Sequence, residues 1–322
     1  MFSEDSYIKL KINGLLDLEV LAKEYQISKQ DIIKFHNQHC EIGEILPLHL
    51  PKYVPFLFLP KKNFEDRNLE FLKSSDLQYP IGISQKKYGV VIKYLHSNTQ
   101  IHFEVDIKRD GYLVEIKKGK NFINNTEVEN TIEKLFEKAE QAIYPIKISV
   151  DNKGLFFKIE NEQEIQDRWE KEYSPKLKEY YVGEIAEDIL KKMDITFRNM
   201  KSKQSYLSQS SFYKLFFLPV YQLYSGYSKE DSFSFYFAKI QSDINFNVKY
   251  TLEKEYTGGN KIALRISGNE ADDYWIKKEE KGCLDWLYKF HRDTHDLFSI
   301  TGSVSTFERG KEIKIEVQIF EI

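Results

Sequence analysis

Cysteine is scarce in this 322-residue chain: Cys40 and Cys283 are its only two, and they lie far apart in sequence. Such sparse usage cannot build a disulfide scaffold and reads as reduced thiols, as in a cytoplasmic protein. Excess charge is missing as well, because 47 basic residues stand against 50 acidic ones and leave a formal charge of −3. No global positive field exists to gather phosphate backbones, so nucleic acid is not an expected partner. No apolar run reaches the roughly 18 residues of a membrane-spanning helix. The most apolar stretch, YVPFLFLP at 53–60, is short and broken by proline, so membrane insertion is not expected. The opening MFSEDSYIKLKING has no basic leader, apolar core or small-residue cleavage site, which argues against ordinary export.

Catalytic signatures are absent too. Tyr256-Thr257-Gly258-Gly259-Asn260-Lys261 carries glycines and a lysine, but it falls between strand-like segments and reads as a hairpin turn rather than a phosphate cradle. No serine or cysteine sits in a nucleophile elbow. His291 and His295 are four apart, yet the glutamate of a zinc hydrolase does not accompany them, and they read as a polar stretch closing a helix over Cys283–Phe290. His36, His39, Cys40 and His49 lack the spacing of a zinc knuckle and read as surface residues. Glu270, Asp272 and Asp273 read as an acidic loop rather than a paired-carboxylate site. The expectation is therefore a protein with no catalytic residue, no metal and no cofactor.

Apolar material is plentiful: 41% of residues are hydrophobic and 15% aromatic, enough to exclude wholesale disorder. The first sixty residues follow their own plan. Tyr7–Ile12 alternates as a half-buried strand, and Asn13-Gly14 ends it. Asp17 is placed to cap a helix with Leu18, Leu21, Ala22 and Tyr25 on one face. After a turn at Gln26-Ile27, Ser28 and Asp31 form a short-armed capping box for a second helix bearing Ile32, Ile33 and Phe35. Ile45, Leu46, Leu48 and Leu50 then alternate as a closing strand up to Pro51.

In DLEVLAKEYQISKQDIIKFHN and LPLHLP this segment resembles the LysM family over about residues 7–51. Asp17-Leu18 stand where that family has threonine and leucine, Leu21-Ala22 where it has isoleucine and alanine, and Tyr25, Ile27-Ser28, Ile32 and Asn37 fall in place. The resemblance implies a βααβ module that binds N-acetylglucosamine glycans such as peptidoglycan through its loops, here Asn13, Gly14, Leu15, Leu16, Asp17 and Asn37. The sequence departs from the family at that surface, since two aliphatic residues, Leu15 and Leu16, occupy a loop that should offer sugar hydroxyls polar partners. They suit either a protein contact or the module's own core.

Residues 61–87, with proline at 60 and 80 around KKNFEDRNLEFLKSSD, read as a linker. From 88 to 322 the texture becomes strand-rich, in two halves of similar plan at about 88–205 and 206–322. Hairpins are expected at Arg109-Asp110-Gly111 and Asp151–Gly154, and further strands from Phe233, Ile244 and Lys261 and at the end of the chain. Thr126 with Glu129 reads as a capping box for a helix bearing Val128, Ile132, Leu135, Phe136, Ala139 and Ile143. Residues 161–205 read as helical, with Pro175 at a first turn and Leu177, Tyr181, Ile185 and Ile189 as the seam. The aromatic run Phe212–Tyr224 reads as a buried strand, or, if exposed, as a partner surface; Tyr53–Pro60 poses the same choice. Phe56, Phe58, Phe216 and Phe217 are the candidate protein contacts.

The expected fold class is α+β: a small LysM-like module followed by a larger curved antiparallel sheet with covering helices. LysM-like modules paired with other domains occur around contractile injection machines. The expected function is accordingly a non-enzymatic cytoplasmic adaptor, chaperone or baseplate-associated component of a bacterial type VI secretion or related system. Its partner would be a protein of the secretion apparatus or an effector. A peptidoglycan-binding envelope protein and a toxin-neutralising immunity protein are the alternatives.

Overall fold

The structure, a computed structural model, describes residues 7–12, 18, 21–22, 27–40, 44–46, 54–60, 71–128, 130–199, 207, 209–257, 259–271 and 280–322. The chain divides into two compact units, Met1–Phe71 with Glu255–Lys261, and Leu72–Lys254 with Ile262–Ile322. Among the described residues no helix is long and apolar enough to cross a membrane.

In the smaller unit, β1 (Tyr7–Lys11) is followed by helical Leu18, Leu21 and Ala22, by α1 (Lys29–His39) and by β2 (Phe56–Pro60). The Ser28 hydroxyl accepts the Asp31 N–H at 3.1 Å and donates to the Asp31 carboxylate at 2.6 Å, the expected capping arrangement. Leu18, Leu21, Ile32, Ile33, Leu46, Val54, Leu57 and Leu59 form one buried cluster. The partner of β1 differs from expectation: Phe56–Pro60 pairs with it antiparallel, Tyr7 opposite Pro60 and Lys11 opposite Phe56. Ile45 is exposed, and the Asn37 side chain holds Leu46 at both its N–H (2.7 Å) and its C=O (2.9 Å). A side-chain clamp therefore meets the hydrogen-bonding needs of Leu46, while Leu48 and Leu50 of the expected closing strand lie outside the described residues.

The larger unit is a mixed fold built on a 13-stranded sheet. Its strands are β3 (Ser84–Tyr94), β4 (Thr99–Asp110), β5 (Leu113–Lys118), β6 (Phe122–Ile123), β7 (Thr126–Glu127), β8 (Ile146–Val150) and β9 (Phe156–Ile159), then β10 (Ser228–Phe237), β11 (Ser242–Leu252), β12 (Lys261–Glu270), β13 (Cys283–His291), β14 (Leu297–Glu308) and β15 (Lys311–Glu321). The main path runs β10-β11-β12-β13-β14-β15-β3-β4-β5-β8-β9, and the described pairings are antiparallel. Residues 72–87, expected as linker, include buried Leu77 and the start of β3. Alternation in each strand sends one set of side chains to the covered face: Leu284, Trp286, Tyr288 and Phe290 in β13, Phe246, Val248, Tyr250 and Leu252 in β11.

Between the strands lie α2 (Thr131–Gln141), α3 (Glu162–Arg168), a π-helical turn (Trp169–Tyr173), α4 (Ser174–Tyr180), α5 (Glu184–Arg198) and α6 (Ser211–Phe216). Several local expectations are corrected. The cap of α2 is Asn130, whose side chain accepts the Ile132 N–H at 3.1 Å, while Thr126 belongs to β7. The helical stretch breaks at Tyr181–Gly183, and Gly183 takes a positive φ of 108°. Ile185 consequently faces outward, and Leu190 and Phe197 supply the buried side of α5. Cys283–Phe290 is strand, because polar and apolar residues alternate there with a period of two and aromatic residues favour a pleated, half-covered surface. The aromatic run is buried as expected, but as a helix, α6, followed by irregular backbone.

That run explains why the sheet curls. Phe212 packs on Phe103 of β4, Phe216 on Tyr88 of β3, Phe217 on Phe156 of β9, Tyr221 on Phe290 of β13 and Tyr224 on Tyr250 of β11. The end strands β9 and β10 are ten steps apart in the path, which in a flat sheet would separate them by about 48 Å. Instead Phe156 of β9 and Phe233 of β10 border one hollow of about 300 Å³ with Phe217. The sheet is rolled around residues 209–224 without β9 and β10 pairing.

Close backbone approach at Gly302 is one condition of the roll. A Cβ there would stand 2.0 Å from the Asp285 carbonyl oxygen, and φ is 155°. Gly302→Ala is expected to lower stability by about 3 kcal/mol. Gly82→Ala, which meets nothing within 4 Å, should stay within about 0.5 kcal/mol. Urea unfolding of the two variants measures the contrast.

Candidate functional site

A cleft of about 830 Å³ lies between the sheet and helices α2 and α5. Ile92, Ile101 and Phe103 form its floor, Ala139 and Ile143 of α2 one wall, and Met193 and Phe197 of α5 the other. Phe136 stands at its mouth with 52% of its surface exposed, and Ile132, one turn earlier on α2, is 45% exposed. An apolar hollow of this size lies within the range of ligand sites.

Four of its polar residues, Lys118, Asn121, Glu137 and Glu140, are engaged with one another. Lys118 lies 4.3 Å from the centre of the Phe103 ring and donates to Glu140 at 2.6 Å. The other Glu140 oxygen accepts from the Asn121 side chain at 3.1 Å, and Glu137 accepts the Asn121 N–H at 2.8 Å. The Thr196 hydroxyl donates to the Lys192 carbonyl. What this arrangement offers chemically is desolvated apolar surface under a polar rim.

The α5 wall is held from behind by the π-helical turn. Buried Trp169 stacks on Phe197 with ring centres 4.2 Å apart and planes at 6°. Its Nε1–H donates to Asp194 at 2.8 Å, where the Ser174 hydroxyl (3.0 Å) and Lys178 (2.7 Å) also donate. Burial would raise the Asp194 carboxyl, but these hydrogen bonds, with that from Lys178 leading, outweigh it and hold the group below the ordinary carboxylate range.

A second polar cluster closes the far end of the rolled sheet. Arg109 and Asp296 form an ion pair with side chains only 12% and 7% exposed. Arg109 also donates to the Gly82 carbonyl, Tyr88 to that of Leu297 at 2.6 Å and Tyr221 to that of His295 at 3.3 Å. Burial pushes the Tyr79 phenol beside this pair up to about 12. The space enclosed is only about 50 Å³, so the cluster fastens loops together rather than admitting a ligand.

Residues singled out from the sequence are dispersed. Asn13, Gly14, Leu15, Leu16 and Asp17 lie outside the described residues, as does His49. Asn37 is occupied by Leu46. Phe58 is buried among Tyr7, His36 and His39, and Phe56 is half-buried with Lys9 at 4.4 Å. Phe217 is buried and Phe216 half-buried in the core of the larger unit. His36 is no surface residue: it is fully buried, accepts the Phe58 N–H at Nδ1 and meets the Glu44 carbonyl through Nε2, so it joins α1 to β2. His291 pairs with Glu321, while His295 reaches the Gln78 carbonyl. Glu270 is buried and accepts from Gly282 and Thr306. Asp272 and Asp273 lie outside the described residues. Among the described residues no group of three or more His, Cys, Asp or Glu side chains converges to hold a metal. The cleft itself was not foreseen from the sequence, although Phe136, Ala139 and Ile143, three of its lining residues, stand on the apolar stripe read for α2.

No protein-family model matches the chain, and no curated protein matches it.

Arg109→Met should cost about 3–5 kcal/mol, because it strands the buried Asp296 carboxylate. Combining it with Asp296→Leu should restore much of that loss, and chemical denaturation of the two single variants and the double variant decides. Asp194 has a depressed native pKa, so its contribution is complete above its unfolded value and disappears as pH falls toward the native one. The stability of the parent protein should therefore decline more steeply than that of Asp194→Asn between about pH 5 and pH 3. Thermal melts of both across that window give the comparison.

Proposed function

We propose that the chain is a non-enzymatic binding protein, an adaptor or chaperone, whose larger unit receives the apolar face of a partner protein in the cleft beside α2. One observation carries this reading: a hollow of about 830 Å³ opens beside a phenylalanine that is half in water. Covering Phe136 and Ile132 while filling the hollow removes apolar surface from water, the main drive for association. The cation of the cleft is already neutralised by Glu140, which favours an apolar guest over an anionic substrate.

The LysM-like reading of the smaller unit belongs to the same proposal. With it comes placement in the cytoplasm, as an assembly component of a contractile injection machine that engages a secretion-apparatus protein or an effector. The autonomous apolar cluster of the smaller unit supports a separate module.

The test purifies the full chain with the partner that accompanies it in stoichiometric amount from its native cell. Phe136→Asp should abolish that association while leaving the melting temperature within a few degrees, since the side chain is half exposed. Retention of the partner by the variant would remove the cleft from the proposal. Retention of the parent protein on purified peptidoglycan, with no protein partner, would replace it with the glycan reading.

A further inference from the structure

The hollow of about 300 Å³ at the seam of the roll is bordered by both ends of the sheet. Leu155 and Phe156 come from the β9 side, Phe233 from β10, and Phe217 lies beneath. The Asp231 carboxyl of β10 is lowered chiefly by Lys229, and also by Lys153 of the β8–β9 turn, so the two margins lie close together.

β10 is ten residues long and pairs with β11 along one edge. On the other edge the sheet path ends. The Ser232 N–H turns to the neighbouring Asp231 carboxylate at 2.9 Å instead of to β11. Alternation along the strand turns the N–H and C=O of Ser234 and Tyr236 the same outward way. A long edge strand with outward amides is a template for another strand.

Lys214 of α6 adds a charge to the seam. It is half-buried, lies 5.3 Å from the centre of the Phe233 ring and makes no ion pair among the described residues. Desolvation lowers its pKa, and the charge of Asp243 only partly opposes this. An ammonium half removed from water beside aromatic rings gains strongly from a carboxylate brought to it.

We infer that the seam between β9 and β10 takes an extended segment of a partner protein. That segment pairs along the outer edge of β10, seats one large apolar side chain against Phe156, Phe217 and Phe233, and sets a carboxylate against Lys214. Main-chain hydrogen bonds supply affinity in such strand addition, and pockets for alternate side chains supply selectivity. A volume of about 300 Å³ is at the small end of ligand sites and suits a single side chain. This rests on the reading of the larger unit as protein-binding, but it uses a different surface from the cleft.

Panning a displayed random peptide library against the full chain tests it. The expected result is enrichment of peptides that carry an aromatic or large aliphatic residue near an aspartate, a glutamate or a free carboxy terminus. Lys214→Met should weaken the enriched peptides about tenfold or more. Ser234→Pro, which removes an outward N–H, should abolish their binding. Circular dichroism confirms that each variant is folded, and Lys214→Met keeps the test decisive if the proline variant is not. Phe136→Asp should leave peptide binding unchanged, so failure of the seam is distinguishable from failure of the cleft. Absence of enrichment, enriched peptides indifferent to Lys214→Met, or a dimer of the chain formed through β10 and lost in Ser234→Pro would each overturn the inference.

Discussion

Irregular backbone in a protein interior is tolerable only if its polar groups find partners, and the larger unit depends on meeting that demand. Residues 217–224 follow α6 as irregular backbone, with Phe217, Leu218, Val220 and Tyr224 buried and Leu223 exposed. Backbone partners do much of the bonding: the Tyr221 N–H donates to the Lys153 carbonyl at 3.3 Å, the Tyr224 N–H to that of Ser75 at 2.9 Å, and the Gln222 carbonyl accepts the Leu77 N–H at 3.1 Å. Tyrosine hydroxyls add to this, Tyr224 donating to the Val220 carbonyl at 2.6 Å and Tyr288 of β13 to that of Leu215 in α6 at 2.9 Å. Each ring also supplies apolar area, so one residue type both fills the core and satisfies it. Burial drives the phenols of Tyr221, Tyr224 and Tyr288 above their ordinary value, which keeps them protonated donors. Tyr221, Tyr224 and Tyr288 thus have a structural use that composition alone does not disclose.

Helix α6 divides the two proposed surfaces. Ser210, at its start, lines the cleft, whereas Tyr213, Lys214 and Phe217 line the seam. Leu207 borders both. The six-residue helix between them is held by its aromatic contacts.

Patterns within a few residues of one another were legible in the sequence. The Ser28 cap, the hairpins at Gly111 and Gly154 and the alternating strands of the carboxy-terminal half other than β13, which was read as a helix, all depend on near neighbours and on period-two burial. Choices between rival local patterns were not. β1 pairs with Phe56–Pro60, and Leu46 of the strand expected there is held by Asn37 nine residues before it. His36 looked like a surface histidine because its partners, Phe58 and Glu44, become neighbours only when β2 folds back. The cleft and the seam were illegible for the same reason. Each is assembled from segments far apart in sequence, and only the roll brings them together.

The pairing of β15 with β3 carries a consequence for how the molecule is made. Tyr94 of β3 faces Ile315 of β15, so the strand synthesised after all the others of the sheet lies in its middle. Until it emerges from the ribosome, β3 through β9 and β10 through β14 are separate ribbons, each showing an unfinished margin to water. Deleting β15 would therefore split the sheet at its centre instead of trimming its border.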